Sequence, residues 1–331
     1  MRDARNSPPK QDVFYFFILN VCSGFMLSAA HNVLYFVLDI KTPVIHFLHH
    51  FFTFLFMLLL YQLGCIPKGP LSLTEFKAPV VAKFCETILS SLVHSQNRQG
   101  ELYLVRVFDF IFTFTILVLG KHLVPSREYG KLEAKLMVPL ALSSSLSWLE
   151  MNQIEFTPLS LFCAPLLATA RAVSLLTMQR AYSQYGEGVS AVHPEQFCLY
   201  YTGLTSAVLL LPALYSYSTS HVEVDASWES IDYTLMSLSC LFMSFNLYSD
   251  LWLGLSLSAR AYAALDSTKY LGASINVEQC SCIDLVDQIV LIHLSSKVGQ
   301  WIIQNMAHPN VIAFGGKILT VVCLSRLITR S

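Results

Sequence analysis

Long apolar runs recur along the chain, and short polar segments separate them. A membrane helix needs about 20 mostly apolar residues. Clear candidates lie near 13–39, 44–64, 102–120, 136–154, 158–179, 197–217, 233–259, 284–306 and 309–327. A weaker candidate near 76–94 contains Lys83 and Glu86. Counting that segment, the pattern predicts an all-α polytopic membrane protein with ten transmembrane helices.

The connections between these runs differ sharply in basic residues, and cytosolic connections carry the excess. With ten spans, the side of the N-terminus holds Arg2, Arg5, Lys10, Lys68, Lys77, Lys121, Arg127, Lys131, Lys135, Arg180, Arg260, Lys269, Arg326 and Arg330. The other side holds only Lys41 and Arg98. Omitting the weak span would destroy this bias, so we predict ten helices with both termini in the cytosol.

Ten spans divide at the connection MNQIEFTPLS into two halves of five, residues 1–155 and 156–331. Because five is odd, the halves enter the membrane in opposite orientations, as in the inverted repeats of many secondary transporters. The segments HLVPSREYGKLEAKLMV and HPNVIAFGGKILTVVCL occupy corresponding places in the two halves and share His, Pro and Gly-Lys before an apolar run. The match is short, and chance is an alternative explanation.

Composition supports a membrane protein, because 54% of the residues are hydrophobic and only 13% are charged, against about 25% charged in soluble domains. The 21 basic and 22 acidic residues nearly balance, which gives no indication of a nucleic-acid partner. The nine cysteines show neither CxxC pairs nor zinc-type spacing. No cofactor is expected.

The stretch HFLHH places His46, His49 and His50 on one helical face. Membrane di-iron enzymes need about eight histidines in several such boxes to fill two coordination spheres. The other seven histidines form no second box, so neither an enzyme nor a metal site is predicted. At the lumenal end of the second span, the three histidines line the mouth of a cavity or, as an alternative, pack against neighbouring helices.

Five basic residues fall inside the predicted spans: Lys83, Arg106, Arg171, Lys297 and Lys317. Each would cost roughly 2.5–3.5 kcal/mol at the centre of a lipid-facing helix, so each should face a water-filled cavity or a partner. Lys83 and Arg106 have a structural alternative, since they could reach an interface or pair with Glu86 and Asp109. Arg171 has no acidic residue within a turn or two along its own helix.

The ninth span carries His293, Lys297, Gln300 and Gln304 at successive spacings of four, three and four. This spacing places all four on one helical stripe, which predicts the lining of a cavity. An internal salt bridge of Lys297 with Asp250 or Asp109 is the alternative. In the seventh span, Tyr200 and Tyr201 offer rings that can stack a nucleobase or serve as interfacial aromatics.

Several local patterns accompany this topology. Thr42-Pro43 opens the second span, with His50 within it; Arg106 precedes FDFIFTFTILVLGK; Gly203 to Pro212 follows the tyrosine pair; and Ser295-Ser296-Lys297 lies in the ninth span. In these features the chain resembles the nucleotide-sugar and triose-phosphate transporter branch of the drug/metabolite transporter superfamily. The resemblance covers about residues 13–327. The guanine-contacting motifs of its GDP-sugar members are not matched beyond one tyrosine and Lys297, so guanine specificity is not implied.

The resemblance implies an antiporter that exchanges a nucleotide sugar for a nucleoside monophosphate across the Golgi membrane or, second, the ER membrane. Lys297 and Arg171 would neutralise phosphate, Tyr200 or Tyr201 would stack the base, and Gln300 with Gln304 would bind sugar or ribose. His293, Arg106 and His50 complete the expected binding residues. Open alternatives are a carrier of another phosphorylated metabolite and a transporter-like scaffold without transport. Besides the substrate and the bilayer, a homodimer is left open as a partner.

Overall fold

The structure is a computed structural model. It describes residues 10–36, 42–67, 69, 72–96, 105–124, 131–147, 157–185, 192–219 and 230–272, together with 315–316, 318–320 and 322–323.

The helices occur in the following order: α1 (Lys10–Phe36), α2 (Thr42–Gln62), a 3₁₀ helix (Leu73–Phe76), α3 (Lys77–Gln96), α4 (Asp109–Leu123), α5 (Lys131–Ser147), α6 (Pro158–Tyr185), α7 (Pro194–Thr219), α8 (Ser230–Ser256) and α9 (Ala259–Gly272). No strand occurs among the described residues. The prediction of an all-α chain is therefore confirmed for this part of the protein.

Three segments in the described part of the chain are long and apolar enough to cross a membrane: Thr42–Gln62, Leu161–Tyr185 and Pro194–Ser218. They coincide with α2, most of α6 and most of α7. Their length and composition support a helical membrane protein. The full set of ten spans and the orientation of the termini stay predictions.

Residues 260–272 follow the predicted span 233–259 and were predicted to lie in a cytosolic connection. They form α9, and Arg260 and Asp266 on it are each only 4% exposed. These charges lower the hydropathy of the segment, so a search for apolar runs overlooks it. Arg106 and Arg171 compensate the burial of Asp266, and such distant partners cannot be recognised in a short window of sequence.

The predicted ninth span, residues 284–306, lies outside the described residues. Of the predicted tenth span, 309–327, the described residues between Gly315 and Cys323 are helical. Thr320 there donates to the Gly316 carbonyl at 2.8 Å and to the Ser143 hydroxyl at 3.0 Å. This contact attaches the segment to α5.

The chain forms two compact units. Unit 1 comprises Met1–His94 and Val173–Ser258, and unit 2 comprises Ser95–Ala172 and Ala259–Ser331. Helix α6 therefore contributes its first part to unit 2 and its last part to unit 1. Each unit takes residues from both predicted sequence halves, so packing does not follow the division at residue 155. The repeat relation between the halves stays a prediction.

In unit 1, α8 packs against α1 through a reciprocal amide contact. The Asn20 side chain donates to the Asn246 carbonyl at 3.0 Å, and the Asn246 side chain donates to the Asn20 carbonyl at 2.9 Å. The Phe16 and Trp252 rings stack nearby, with centroids 4.0 Å apart. Polar side chains that bond across helices in this way stabilise association where water is scarce.

Helix α2 packs against α7 and α8 in the same unit. Gly203 permits the close approach of α7, because a Cβ at that position would lie 2.8 Å from the ring of Phe54. In unit 2, α4, α5 and α9 pack together. There the Phe110 amide donates to the Ser145 hydroxyl at 3.1 Å.

Candidate functional site

Four charged side chains meet in unit 2, from the helical residues 105–107 and from α4, α6 and α9; three of them are buried and Arg171 is half-buried. We call Arg106, Asp109, Arg171 and Asp266 the arginine–aspartate network. Arg106 donates to Asp109 at 2.6 Å and to Asp266 at 3.2 Å. Arg171 donates to Asp109 at 3.2 Å and to Asp266 at 3.3 Å. Two guanidinium groups and two carboxylates leave the network electrically neutral.

The two arginines differ in how firmly they are held. The Arg106 side chain is 6% exposed and contacts Asp109 at 2.6 Å, whereas the Arg171 side chain is 21% exposed and contacts the two carboxylates at 3.2 and 3.3 Å. The Arg171 guanidinium also lies 5.2 Å from the centre of the Phe112 ring, a favourable cation–π distance. If Arg171 moved away, Arg106 would still contact both carboxylates. Arg171 is thus the cation that can exchange its partners at lower cost.

For Arg106, the structure shows the pairing alternative that the sequence left open, with Asp109 as the partner. Helix α6 has no acidic residue near Arg171, as expected from the sequence. The carboxylates that contact Arg171 belong to Asp109 on α4 and Asp266 on α9. Asp266 was not among the predicted site residues, because residues 260–272 were assigned to a connection. In the sequence it is a single acidic residue in a short segment rich in alanine.

Unit 1 contains a second group of polar residues within its helices. They include His50 on α2, Lys83 and Glu86 on α3, and Tyr201 on α7. Lys83 pairs with Glu86 at 2.7 Å, one turn along α3, which is again the pairing alternative. The Tyr201 hydroxyl interacts with the Ser174 hydroxyl.

The HFLHH stretch lies on α2 with two of its three rings buried. His49 Nε2 lies 3.1 Å from the Ser239 hydroxyl of α8, and His50 Nδ1 lies 2.9 Å from the His46 carbonyl. Each ring is 1% exposed, whereas His46 is half-buried. Of the two alternatives, lining a cavity mouth or packing against neighbouring helices, the burial of His49 and His50 within unit 1 agrees with packing.

The two candidate tyrosines have different surroundings in unit 1. Tyr201 is 1% exposed, and its ring stacks with Phe197 at 6.3 Å between centroids. Tyr200 is half-buried, and its ring lies 6.3 Å from that of Phe76, the last residue of the 3₁₀ helix before α3. Of the two rings, Tyr200 is the one that retains accessible surface for a further aromatic group.

The structure thus divides the candidate residues between the units. Arg106 and Arg171 meet in unit 2, whereas His50 and Tyr201 lie in unit 1. The remaining candidates, His293, Lys297, Gln300 and Gln304, lie outside the described residues. Lys83 and Glu86 were recognised as intramembrane charges but were not assigned to the site.

No family model and no curated protein sequence matches this chain. Among solved structures, one described only as "Crystal structure of protein" matches with a TM-score of 0.59 at 11% identity. The match covers 97% of this chain and 98% of the other. At this identity the likeness concerns the fold alone, over nearly the whole length of both chains.

Proposed function

We propose that this protein is a secondary transporter that exchanges a nucleotide sugar for a nucleoside monophosphate across an endomembrane. Ten helices in two inverted repeats, cytosolic termini and a Golgi location belong to the same proposal. Its basis is the resemblance of the sequence together with charged groups buried inside apolar helices. In membranes such groups are costly, and they commonly mark substrate pathways.

The proposal rests on Arg171, whose side chain is 21% exposed and contacts its two carboxylate partners at 3.2 and 3.3 Å. It lies ten residues from Leu161 and fourteen from Tyr185, the ends of its apolar segment, hence about 15 Å and 21 Å along the helix. A guanidinium in mid-helix is well suited to bind phosphate through two parallel hydrogen bonds. A phosphate would replace two carboxylate contacts of 3.2 and 3.3 Å, while Arg106 keeps its contacts with both carboxylates.

Lys297 would supply a second positive charge for the phosphates, as the resemblance implies. Tyr200 would stack the base in preference to Tyr201, because its ring is less covered. Gln300 and Gln304 would bind sugar or ribose. No covalent chemistry on the substrate is required, so the protein is proposed to be a carrier and not an enzyme.

In the arginine–aspartate network, two positive charges balance two negative charges. This balance favours a second candidate function, a scaffold without transport. Since each arginine has two carboxylate partners, the network could serve structure alone. A scaffold needs no exchangeable cation, so under this alternative no phosphorylated ligand should compete with the carboxylates for Arg171.

Thermal unfolding of the detergent-solubilised protein distinguishes the two candidates. A ligand that binds only the folded state raises stability by about 2.7 kcal/mol at 100 times its Kd. We expect one nucleoside monophosphate among UMP, GMP, AMP and CMP to raise the Tm of the wild type and not that of Arg171→Met. A folded wild type that no nucleotide and no nucleotide sugar stabilises would favour the scaffold.

A further inference from the structure

Hydrogen bonds attach the connection between α2 and α3 to two other helices of unit 1. The Tyr185 hydroxyl, at the end of α6, donates to the Ser72 carbonyl at 2.6 Å and accepts from the Ser72 amide at 3.2 Å. The Gln196 side chain, near the start of α7, donates to the Gly69 carbonyl at 2.6 Å. These bonds fix the backbone just before the 3₁₀ helix.

The 3₁₀ helix (Leu73–Phe76) follows directly on Ser72 and ends in a buried ring. Phe76 is 0% exposed, and its ring lies 4.7 Å from that of Phe197 and 6.3 Å from that of Tyr200. Because Phe197 and Tyr200 are three residues apart on α7, they lie on the same face of that helix. Phe76 therefore packs along the face of α7 that carries the candidate base-stacking ring.

Phe76 is the aromatic neighbour of Tyr200. Among the described residues it provides the only ring that Tyr200 contacts, at 6.3 Å between centroids and an angle of 31° between planes. This distance lies in the range at which aromatic pairs attract one another. Tyr200 is half-buried, so it keeps accessible surface while Phe76 has none. The contact with Phe76 therefore restricts the Tyr200 ring without enclosing it.

Restricting a ring before it binds a ligand strengthens binding, because a side chain that is ordered only on binding costs free energy at that step. The Tyr185 hydroxyl is connected to Tyr200 by a short path, through Ser72, one turn of 3₁₀ helix and the Phe76 ring. The Tyr185 ring also lies 6.4 Å from that of Phe76. Loss of the Tyr185 hydroxyl would free the backbone that holds Phe76 in place.

We propose that Phe76 and Tyr185 are positioning residues that hold the Tyr200 ring for stacking with the nucleobase of the substrate. Phe76 acts by packing on Tyr200, and Tyr185 acts through Ser72 and Phe76. Neither residue touches the substrate. This inference rests on the proposed function, adds two residues to its base site, and involves contacts within unit 1 alone.

Nucleotide affinity measures the effect of each residue. Calorimetric titration of the detergent-solubilised wild type with UMP, GMP, AMP and CMP in turn identifies the nucleotide that binds. For that nucleotide we expect the Kd to rise about tenfold in Tyr200→Leu, because the stacking ring is lost. In Phe76→Leu and in Tyr185→Phe we expect a rise of about threefold, because the ring remains but must be ordered on binding.

A double-mutant cycle distinguishes positioning from a general structural role. In a chain that already carries Tyr200→Leu, adding Tyr185→Phe or Phe76→Leu should leave the Kd unchanged, since no ring remains to be positioned. Tyr182→Phe is the matched control: it removes a hydroxyl one turn earlier on α6, which donates to the Val192 carbonyl at 3.2 Å. Its Kd should equal that of the wild type.

Each failure has its own signature. No nucleotide binding by folded wild type would refute the proposed function itself. Nucleotide binding that Tyr200→Leu leaves unchanged, equal losses of affinity in Tyr182→Phe and Tyr185→Phe, or effects that add to that of Tyr200→Leu would refute the positioning role and leave transport standing. If Phe76→Leu does not fold, Tyr185→Phe decides, because it removes one hydroxyl and keeps the ring; a wild-type Kd in that variant would refute the inference.

Discussion

Arg106 and Arg171 contact the same two carboxylates but differ in burial, and their roles should differ accordingly. Removing one partner of a buried ion pair is destabilising by about 3–5 kcal/mol. Arg106 makes the 2.6 Å contact, so Arg106→Met should approach that loss. Arg171→Met should lower the Tm less, because Arg106 still pairs with both carboxylates. Thermal unfolding of the two variants in detergent measures the difference.

A charge-balanced double variant separates stability from binding. In Arg171→Met/Asp266→Asn one cation and one anion are removed together, so we expect it to be at least as stable as Arg171→Met. It should still fail to gain stability from any nucleotide. If the double variant recovered nucleotide stabilisation, Arg171 would not be the phosphate ligand.

At the scale of single residues, the sequence predicts that Lys83, Arg106 and Arg171 lie within helices but leaves their partners open. The spacing of three residues allowed Lys83 to reach Glu86 and Arg106 to reach Asp109, and the structure shows both pairs. Spacing along one helix could not reveal the pairing of Arg171 with Asp109 and Asp266. Those contacts span 62 and 95 residues and depend on tertiary packing.

Among the helices, the contact of α2 with α7 depends on the missing side chain of Gly203. Gly203→Val would place a branched side chain within the space of the Phe54 ring, which lies 2.8 Å from an ideal Cβ. Overpacking of this kind costs about 1–3 kcal/mol, so the Tm should fall. Phe54→Leu in the same chain should restore part of the loss.

Gly315→Ala is the matched control for that substitution. An added Cβ there meets no atom within 4 Å, so the Tm should stay at the wild-type value. An equal loss in both glycine variants would show that the effect is not specific to the contact between α2 and α7.

The contact of α1 with α8 depends on Asn20, which donates to the Asn246 carbonyl and the Ser249 hydroxyl, each at 3.0 Å. Interhelical hydrogen bonds in membranes contribute about 0.6 kcal/mol on average and up to about 1.7. Asn20→Leu should therefore lower the Tm modestly, whereas Ser237→Ala, at an exposed position on α8, should not. A wild-type Tm in Asn20→Leu would show that the Asn20 hydrogen bonds do not stabilise the packing of α1 against α8.

Hydrophobic pattern predicts helices well when the whole element is apolar, as α2 and α7 show. It fails for α9, where Arg260, Asp266 and Lys269 break the apolar run although the Arg260 and Asp266 side chains are buried. Arg260, which the charge bias counts among the cytosolic residues, is itself buried within unit 2. The remaining bias is independent of this residue.

On the scale of the whole molecule, the charge bias predicts the side of the membrane for each connection. Cys65, exposed after α2, should lie on the cytosolic side, and position 230 at the start of α8 should lie in the lumen. In sealed vesicles with the cytosolic face outward, a membrane-impermeant maleimide should label a chain with Cys65 as its single cysteine. It should label a single Ser230→Cys chain only after detergent is added, and the reverse pattern would invert the topology.

Packing into two units could not be read from the sequence, because the division at residue 155 follows chain order whereas the units combine distant segments. The contacts between α1 and α8 join residues more than 200 positions apart. Such pairings are a property of the folded chain. The sequence could identify the candidates but not their distribution between units.

Exchange across a membrane is the central claim, and reconstitution in liposomes tests it most directly. Vesicles preloaded with UMP, GMP, AMP or CMP would be supplied with labelled nucleotide sugars, using the wild type, Arg171→Met and Lys297→Ala. We expect uptake that requires one particular trapped monophosphate and is lost in both variants. Uptake that does not depend on the trapped nucleotide, or no uptake by protein shown to be folded, would contradict the account.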